Sequence, residues 1–336
     1  MQGNRMIITA FVLAASFNTF QTWAQENGNK AGDSPYIAWI SQYPPAVSEK
    51  STRSLGTRIA DFILGKKNTL ELNRPVALIV KDSTSFYVLD QENGVIFHVN
   101  DKVGEISHFR NKQYKIFPSM VGITSFRDNS ILFTDSYYNK IFLCKPDKKS
   151  LTLFTDSVFN RPTGIFYVPS DHLIWVVETN AHRISVLDEQ GRVVKRFGKR
   201  GTAPGEFNYP TSVWVDKKGM VYIVDAMNFR VQIFSSAGEF ISQFGKPGDG
   251  SGDFARPKGI ATDSYGNIYI ADALYSAVQI FNFQGQLLYT FGTRGHGNGE
   301  FWMPSGIYID NRDHIYVADS YNSRIQVFQL MNGGKQ

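Results

Sequence analysis

The sequence predicts an all-β, six-bladed β-propeller of four-stranded blades, and three observations support this fold class. One unit recurs with a period of 47 residues, beginning at Phe197, Phe244 and Phe291. A fixed period of this size, made of short aromatic and β-branched runs, is typical of propellers and solenoids. Aromatic residues form 14% of the 336-residue chain, which favours strands. No helical periodicity lies between the apolar runs, which excludes doubly wound and (β/α)8 folds.

Two marker residues recur along the chain and define six units. A proline closes a loop in each unit, at Pro75, Pro118, Pro162, Pro210, Pro257 and Pro304. An acidic residue follows 15 to 17 positions later, at Asp90, Asp135, Glu178, Asp225, Asp272 and Asp319. The fourth unit shows its strands most clearly, as TSVWVD, MVYIVD, RVQIF and EFISQF. Four short strands joined by tight turns form one antiparallel blade.

The last unit lacks a fourth strand, so we expect an N-terminal strand to close the ring and remove the open sheet edge. Residues 57–75 align with the fourth strand and following loop of the other units, which predicts that 59–64 pairs beside 325–330. The run YIAWI at 36–40 could add an edge strand. The predicted boundaries are a signal peptide at 1–24, a polar leader at 25–54, the propeller at 55–330 and a C-terminal tail at 331–336.

The first residues are typical of a secretory signal. Arg5 gives a positive start, residues 7–17 are mostly apolar but too short to span a bilayer, and Ala24 marks a cleavage site. We therefore expect a secreted or periplasmic protein that is soluble and monomeric after signal removal. The single cysteine, Cys144, excludes an intrachain disulfide, and its apolar neighbours predict a buried, inert thiol.

Three motifs carry a family resemblance. They read F-G-x-x-G-x-x-x-G-[ED]-F-x-x-P, then D-x-x-x-G-x-[IV]-Y-[IV]-x-D, then N-x-R-[IV]-Q-[IV]-F. The chain resembles NHL-repeat proteins closely over 197–328 and more loosely over 57–196. The resemblance implies a six-bladed propeller, which agrees with the number of units counted above.

The repeated residues are predicted to be structural. Gly292 and Gly295 recur at equivalent positions in three units, and no helix N-terminus follows them, as a phosphate-binding loop would require. The recurring acidic residues, here called the repeat acids, end the second strands and should accept backbone N–H bonds in the next turn. Arg183, Arg230 and Arg324 begin third strands and could pair with the repeat acids.

Strand direction alternates, so the blade-crossing loops and the turns between second and third strands share one face, here called the loop face. The crossing loops carry twelve Lys or Arg against six Asp or Glu, while the whole chain has a net charge of +5. This excess can attract anionic partners. The turns of the same face carry seven acids against four bases, so a solvated face of mixed charge is the alternative. The candidate contact residues are Lys199, Arg200, Arg230, Arg294, Arg324, Tyr138, Tyr275 and Trp302.

No catalytic or metal-ligating set is predicted. Zinc requires three or four converging ligands, and among the scattered histidines only His182 and His296 share the loop face, on opposite sides of the ring. The NHL-type family includes a peptide-amidating lyase with a zinc held by histidines near the channel. The positions just after the loop prolines, where such ligands are expected, hold Val76, Ser119, Thr163, Thr211, Lys258 and Ser305.

The sequence therefore favours an interaction module for a protein, a peptide or an anionic glycan, without a cofactor and without enzymatic activity. The alternative is a zinc- or calcium-dependent lyase or hydrolase of the amidating-lyase or lactonase-like propeller type, whose ligands lie in the three divergent units. Nucleic acid is not an expected partner, because an exported protein rarely meets RNA and the chain lacks a dense basic surface with interleaved aromatic residues.

Overall fold

The computed structural model describes residues 36–45, 71–82, 85–100, 105–109 and 116–331. Two compact units are distinguished. Trp39–Phe328 forms the propeller, and a small unit of Met1–Ala38 with Gln329–Gln336 has only 36–38 and 329–331 described. Within the described ranges, no helix has the length and apolar character needed to cross a membrane.

The predicted fold class is confirmed, because six four-stranded antiparallel sheets form the blades. Blade 1 consists of Pro75–Asp82, Ser85–Asp90, Val95–Asn100 and Glu105–Phe109. Blade 2 consists of Met120–Ser125, Ile131–Asp135, Lys140–Lys145 and Ser150–Leu153. Blade 3 consists of Pro162–Val168, Leu173–Glu178, Arg183–Asp188 and Val193–Phe197.

The last three blades follow the same order. Blade 4 consists of Pro210–Val215, Val221–Asp225, Arg230–Phe234 and Phe240–Phe244. Blade 5 consists of Pro257–Thr262, Ile268–Asp272, Ala277–Phe281 and Leu287–Phe291. Blade 6 consists of Pro304–Ile309, His314–Asp319, Arg324–Met331 and Tyr36–Tyr43. The first strand of blade 6 contacts that of blade 1, so the ring is closed.

Short elements complete the blades. Single 3-10 turns lie at Pro146–Lys148, Thr179–Ala181, Ala226–Asn228 and Ser320–Asn322. A two-stranded parallel ribbon of Thr293–Arg294 and Glu300–Phe301 stiffens the loop that enters blade 6.

An N-terminal strand closes the ring, as predicted, but a different segment supplies it. Tyr36–Tyr43 is the neighbour of Arg324–Met331 in the sheet. The Trp39 Nε1–H donates to Gln326 Oε1 at 3.0 Å, and the Arg324 guanidinium donates to Gln42 Oε1 at 2.9 Å. The expectation that 59–64 would take this position is corrected, and residues 59–64 themselves lie outside the described ranges.

The core lies between neighbouring blades, where apolar faces of second and third strands meet. In blade 4 both Val221–Asp225 and Arg230–Phe234 are buried throughout, while the outer strand Phe240–Phe244 is largely exposed. Phe254, from the crossing loop, is fully buried against Phe281, with ring centroids 5.5 Å apart. The aromatic residue of each G-[ED]-F motif therefore anchors a crossing loop to the following blade.

The repeated glycines are explained by this loop, which confirms the structural interpretation. Gly245 has φ +96°, and a Cβ there would lie 2.4 Å from the Phe254 ring. A Cβ on Gly248 would lie 2.1 Å from the carboxylate of Asp253. The loop thus needs glycine where the chain turns back over its own anchoring phenylalanine and acid.

The register of blade 2 differs slightly from that of blades 4 to 6. Met120 pairs with Asp135, as Pro257 pairs with Asp272 in blade 5, so the inner strand begins at Met120, two residues after Pro118. Val121 therefore takes the position that Lys258 holds in blade 5, and both Ser119 and Val121 line the channel. The prediction of a buried thiol is confirmed. Cys144 is buried, and burial raises the pKa of its thiol to about 12.

Candidate functional site

Backbone hydrogen bonds hold the crossing loops and the second-to-third-strand turns together on the loop face. The residue after each repeat acid, or the next one along, donates its N–H to the loop that enters the same blade. In blade 4 the Met227 N–H donates to the Asn208 carbonyl at 3.0 Å, and in blade 6 the Tyr321 N–H donates to the Trp302 carbonyl at 3.1 Å. Each turn of the loop face is therefore joined to the loop that enters its blade.

The repeat acids lie beneath the loop face and accept hydrogen bonds from the crossing loops and, in blades 3, 4 and 6, from the third strands. Asp225 is fully buried and accepts bonds from the Asn208 N–H at 2.6 Å, the Arg230 Nε–H at 2.8 Å and the Gln232 amide at 3.1 Å. Asp319 repeats the arrangement in blade 6, with the Arg324 Nε–H at 2.7 Å. The expected contact between repeat acid and third-strand arginine is present in blades 3, 4 and 6.

Arg230 and Arg324 require a correction as candidate contact residues. They are only 6% and 7% exposed. The Arg230 guanidinium also donates to the carbonyl oxygens of Thr202 and Glu206, at 2.7 and 2.9 Å. Both arginines therefore join a blade to its crossing loop and are not positioned to contact a ligand.

Glu178 gives a pH-dependent prediction. Burial alone would raise the pKa of this carboxyl, but hydrogen bonds from Arg183, Ser185 and the Asn160 N–H outweigh burial and hold the pKa below its usual range. A carboxyl with a depressed folded-state pKa contributes stability above its unfolded pKa, and this contribution is lost as the pH falls through the folded value. We expect Glu178→Gln to lower the free energy of unfolding by about 3 kcal/mol at pH 7.

The difference between wild type and Glu178→Gln should shrink below about pH 4, near the unfolded-state pKa. Urea unfolding at pH 7 and at pH 3 measures it, with the exposed Glu239→Gln as control. An equal difference at both pH values would contradict the role assigned to Glu178.

A channel runs along the first strands, with a cavity volume of about 910 Å³. The residues that face it just after each strand begins are Val76, Val121, Thr163, Thr211, Lys258 and Ser305. Among the described residues, the charged members of the lining are one acid, Asp216, and four bases, Arg127, Arg161, Lys217 and Lys258. Asp216 lies at the end of the channel opposite the loop face, and its carboxylate accepts hydrogen bonds from the backbone N–H groups of Lys218 and Met220. The channel is therefore cationic towards the loop face.

Lys258 lies at that end of the channel and is half-buried. Burial, followed by the charges of Arg256 and Arg161, lowers the pKa of its ammonium group. Within the described part of the chain, no carboxylate forms an ion pair with any of these three cations. An anion is the species that would relieve their mutual repulsion.

The other predicted cations of the loop face divide into two groups. Lys199 is exposed and pairs with Glu206 at 3.2 Å. Arg200 and Arg294 are exposed, and among the described residues neither has a carboxylate partner. Arg200 and Arg294 therefore offer free guanidinium groups on the loop face.

Apolar side chains project from the same face. Among the described residues, the exposed large apolar side chains of the loop face are Ile116, Tyr137, Val158, Tyr209, Met227, Leu274, Trp302 and Tyr321. Four of these occupy the second position after a repeat acid, a recurrence visible in the sequence but missed there. The turns of the opposite face, as far as they are described, expose Tyr265 and Phe283.

Two of the three predicted aromatic contact residues, Tyr138 and Tyr275, are less exposed than the residues that precede them. Tyr138 and Tyr275 are half-buried, and their hydroxyls donate to the carbonyl oxygens of Ile116 and Gly248. Their preceding residues, Tyr137 and Leu274, are 68% and 58% exposed. Trp302 is exposed, as expected, and its ring lies 5.7 Å from that of Tyr321.

The histidines of the loop face have local partners. His182 is buried, and its Nδ1 lies 3.1 Å from the Tyr209 nitrogen, which donates to it. His296 Nδ1 lies 2.6 Å from Asn322 Oδ1. Among the described residues, no group of three or more His, Cys, Asp or Glu side chains could hold a metal ion.

Comparison with known proteins decides the repeat type. A profile of the NHL repeat matches residues 301–328, and a profile described as a six-bladed β-propeller matches residues 162–231 and 216–274. The chain is a six-bladed β-propeller whose last blade contains an NHL repeat.

NHL repeat-containing protein 2 of Bos taurus is 33% identical over 92 residues, which cover 23% of this chain and 13% of that relative. The propeller also resembles an auxiliary nutrient binding protein from Bacteroides thetaiotaomicron, with a TM-score of 0.62, 14% identity and coverage of 77% and 69%. It resembles virginiamycin B lyase from Staphylococcus aureus, with a TM-score of 0.57, 18% identity and coverage of 78% and 97%. At these identities the two structures support the fold alone.

Proposed function

We propose that this NHL propeller is an exported binding module whose loop face holds an acidic segment of a peptide or protein. The observation that carries the proposal is the combination, on one face, of exposed apolar side chains and cations without a described carboxylate partner. Export is the expectation from the predicted signal at 1–24, which lies outside the described residues.

The composition of the face supports a polypeptide partner. Aromatic residues, Met and Arg are enriched at protein interfaces, because they bury large contact areas and form directional hydrogen bonds. Met227, Leu274 and Tyr321 project from consecutive blades 4, 5 and 6. Aliphatic side chains favour a polypeptide over a sugar, which stacks mainly on aromatic rings. An anionic glycan is the competing outcome of the test.

The charge of the face supports an acidic partner. The loop acids Asp253 and Glu300 accept N–H bonds from Gly250 and Gly297 of their own loops. Their charges are thereby partly neutralised within the face. Arg200 and Arg294 remain exposed without a described carboxylate partner, so the face should attract negative charge.

Selection of peptides from a random library on the purified protein tests this function. We expect enrichment of peptides that combine Asp or Glu with apolar residues. Met227→Glu with Leu274→Glu should weaken binding of a selected peptide at least tenfold, because two apolar contacts become negative charges facing an acidic ligand. Both side chains are exposed, so the fold should be retained.

The matched control is Tyr265→Glu, which adds a charge to an exposed apolar position on the opposite face. This variant should bind the selected peptide like the wild type. A selection that enriches no acidic peptide, or a peptide that binds Met227→Glu with Leu274→Glu undiminished, would refute the proposed function. Binding of acidic oligosaccharides alone would move the assignment to a glycan.

A further inference from the structure

A belt of side-chain hydrogen bonds joins neighbouring blades at the loop-face end of the channel. The residue after the repeat acid donates to the carbonyl that begins the next inner strand. Thr179 Oγ1 donates to the Pro210 carbonyl at 2.7 Å, and Ser136 Oγ donates to the Pro162 carbonyl at 2.6 Å. The belt continues with Ser320 on Pro75 at 2.6 Å, and with the Gln91 amide on Met120 at 3.1 Å.

The same residues also bond to the channel-facing hydroxyls of their own blades. Thr163 Oγ1 lies 2.8 Å from Thr179 Oγ1 in blade 3, and Ser305 Oγ lies 2.7 Å from Ser320 Oγ in blade 6. In these two blades every hydroxyl at the channel rim therefore has a partner.

The belt is interrupted in blades 4 and 5. Ala226 and Ala273 occupy the positions after the repeat acids, and alanine has no polar side-chain atom. As a result the Thr211 hydroxyl, which lines the channel in blade 4, is buried and has no hydrogen-bond partner among the described residues. Lys258 follows at the equivalent position of blade 5. An unsatisfied hydroxyl and an unpaired ammonium group thus lie on adjacent inner strands.

We propose that Lys258 and Thr211, flanked by two loop arginines, form a subsite for an oxyanion of the ligand, such as the carboxylate of an acidic side chain. Arg161 lines the channel from blade 3, and Arg256 precedes the inner strand that carries Lys258. The ammonium group supplies charge and the hydroxyl supplies one directed hydrogen bond. The absence of hydroxyls at Ala226 and Ala273 leaves both groups free for the ligand.

A bound oxyanion would give a partner to both the Lys258 ammonium group and the Thr211 hydroxyl. The lowered pKa of Lys258 reflects burial beside two positive charges, and an anion reverses both effects. A peptide carboxylate, an acidic sugar and a phosphate share oxyanion chemistry, so the subsite alone does not distinguish them. The choice of a peptide carboxylate therefore rests on the proposed function.

NMR of the reductively 13C-methylated protein tests the subsite, with N-acetylglutamate, galacturonate and inorganic phosphate as probes. The Lys258 signal is identified as the one that Lys258→Met removes. We expect at least one probe to shift this signal and to raise its titration midpoint, and the probe that binds tightest identifies the source of the oxyanion. Lys258→Met should weaken that probe about tenfold, as measured by calorimetry, and Thr211→Val about threefold. Lys217→Met, at the end of the channel opposite the loop face, should bind like the wild type.

The subsite is overturned if no probe moves the Lys258 signal of the wild type, a result that does not depend on any variant folding. It is also overturned if Lys258→Met, or Lys258→Gln where Met does not fold, binds the probe undiminished. If selected peptides bind but no probe shifts the Lys258 signal, the subsite is refuted and the proposed function stands. If a probe binds at Lys258 but no acidic peptide is selected, the subsite stands and the proposed function is refuted.

Discussion

Asp319→Ala should be among the most destabilising single substitutions in this propeller. The buried carboxylate accepts bonds from the Trp302 N–H at 2.7 Å and the Arg324 Nε–H at 2.7 Å, with the Gln326 amide at 3.1 Å. Removal of the carboxylate leaves the buried Arg324 guanidinium without its counter-charge. Removing one partner of a buried ion pair lowers the free energy of unfolding by about 3–5 kcal/mol, which for a domain of this size is a melting-temperature drop of about 10 °C.

Calorimetry and urea unfolding measure this loss, with the exposed loop acid in Asp249→Ala as control. Asp135→Ala is the informative comparison, because blade 2 has Lys140 in place of the arginine, and burial raises the pKa of Asp135. We expect Asp135→Ala to cost about half as much as Asp319→Ala, since it leaves no buried cation unpaired. Equal losses at both positions would show that the arginine pair is not the source of the effect.

The sequence was sufficient to predict the blades, their number and the structural roles of the repeated glycines and acids. Proline, glycine and acid recur because each blade solves the same backbone problem, as the crowding of Gly245 against Phe254 illustrates. In blade 2, Pro118 closes the loop as expected, and the inner strand begins two residues later at Met120. The spacing of proline and acid does not by itself show where that strand begins.

The closing strand was assigned to the wrong segment because both candidates have strand-like composition. The discriminating signal was present: residues 40–43 read ISQY, and the fourth strand of blade 4 ends with ISQF. Gln42 accepts a bond from Arg324 at 2.9 Å, just as Gln243 accepts one from Arg230 at 2.8 Å. In blades 4 and 6, a glutamine that accepts a hydrogen bond from the buried arginine therefore marks the fourth strand.

The candidate site was less accessible from the sequence. Exposed cations and buried ones cannot be separated by charge alone, so Arg230 and Arg324 were grouped with Arg200 and Arg294. The open belt at Ala226 and Ala273 becomes visible only when the repeat acids are aligned and the neighbouring blade is known. The proposed role of this gap in the belt depends on Lys258, and no other unit has a lysine at the equivalent position.

Charge reversal on the loop face should cause the largest loss of binding. Arg200 and Arg294 are exposed on the loops that enter blades 4 and 6, and neither has a described carboxylate partner. Arg200→Glu with Arg294→Glu places two negative charges against an acidic ligand. Because like charges repel across an interface and steer encounters apart, we expect affinity for an acidic polypeptide to fall by about a hundredfold at low salt.

The control for this variant carries the same change of net charge on the opposite face. Lys145→Glu with Lys148→Glu alters two exposed lysines near the turn between the third and fourth strands of blade 2. Long-range repulsion that depends only on net charge would affect both variants equally, whereas a local binding face distinguishes them. Salt screens such charges, so the difference should decrease as ionic strength rises.

Binding of poly-L-glutamate to the immobilised wild type and these two variants, measured between 50 and 300 mM NaCl, is the most direct test of the loop face as a binding surface. The account predicts salt-sensitive binding by the wild type and by the lysine control, and its loss in Arg200→Glu with Arg294→Glu. Equal binding by all three proteins, or a loss confined to the lysine control, would contradict it.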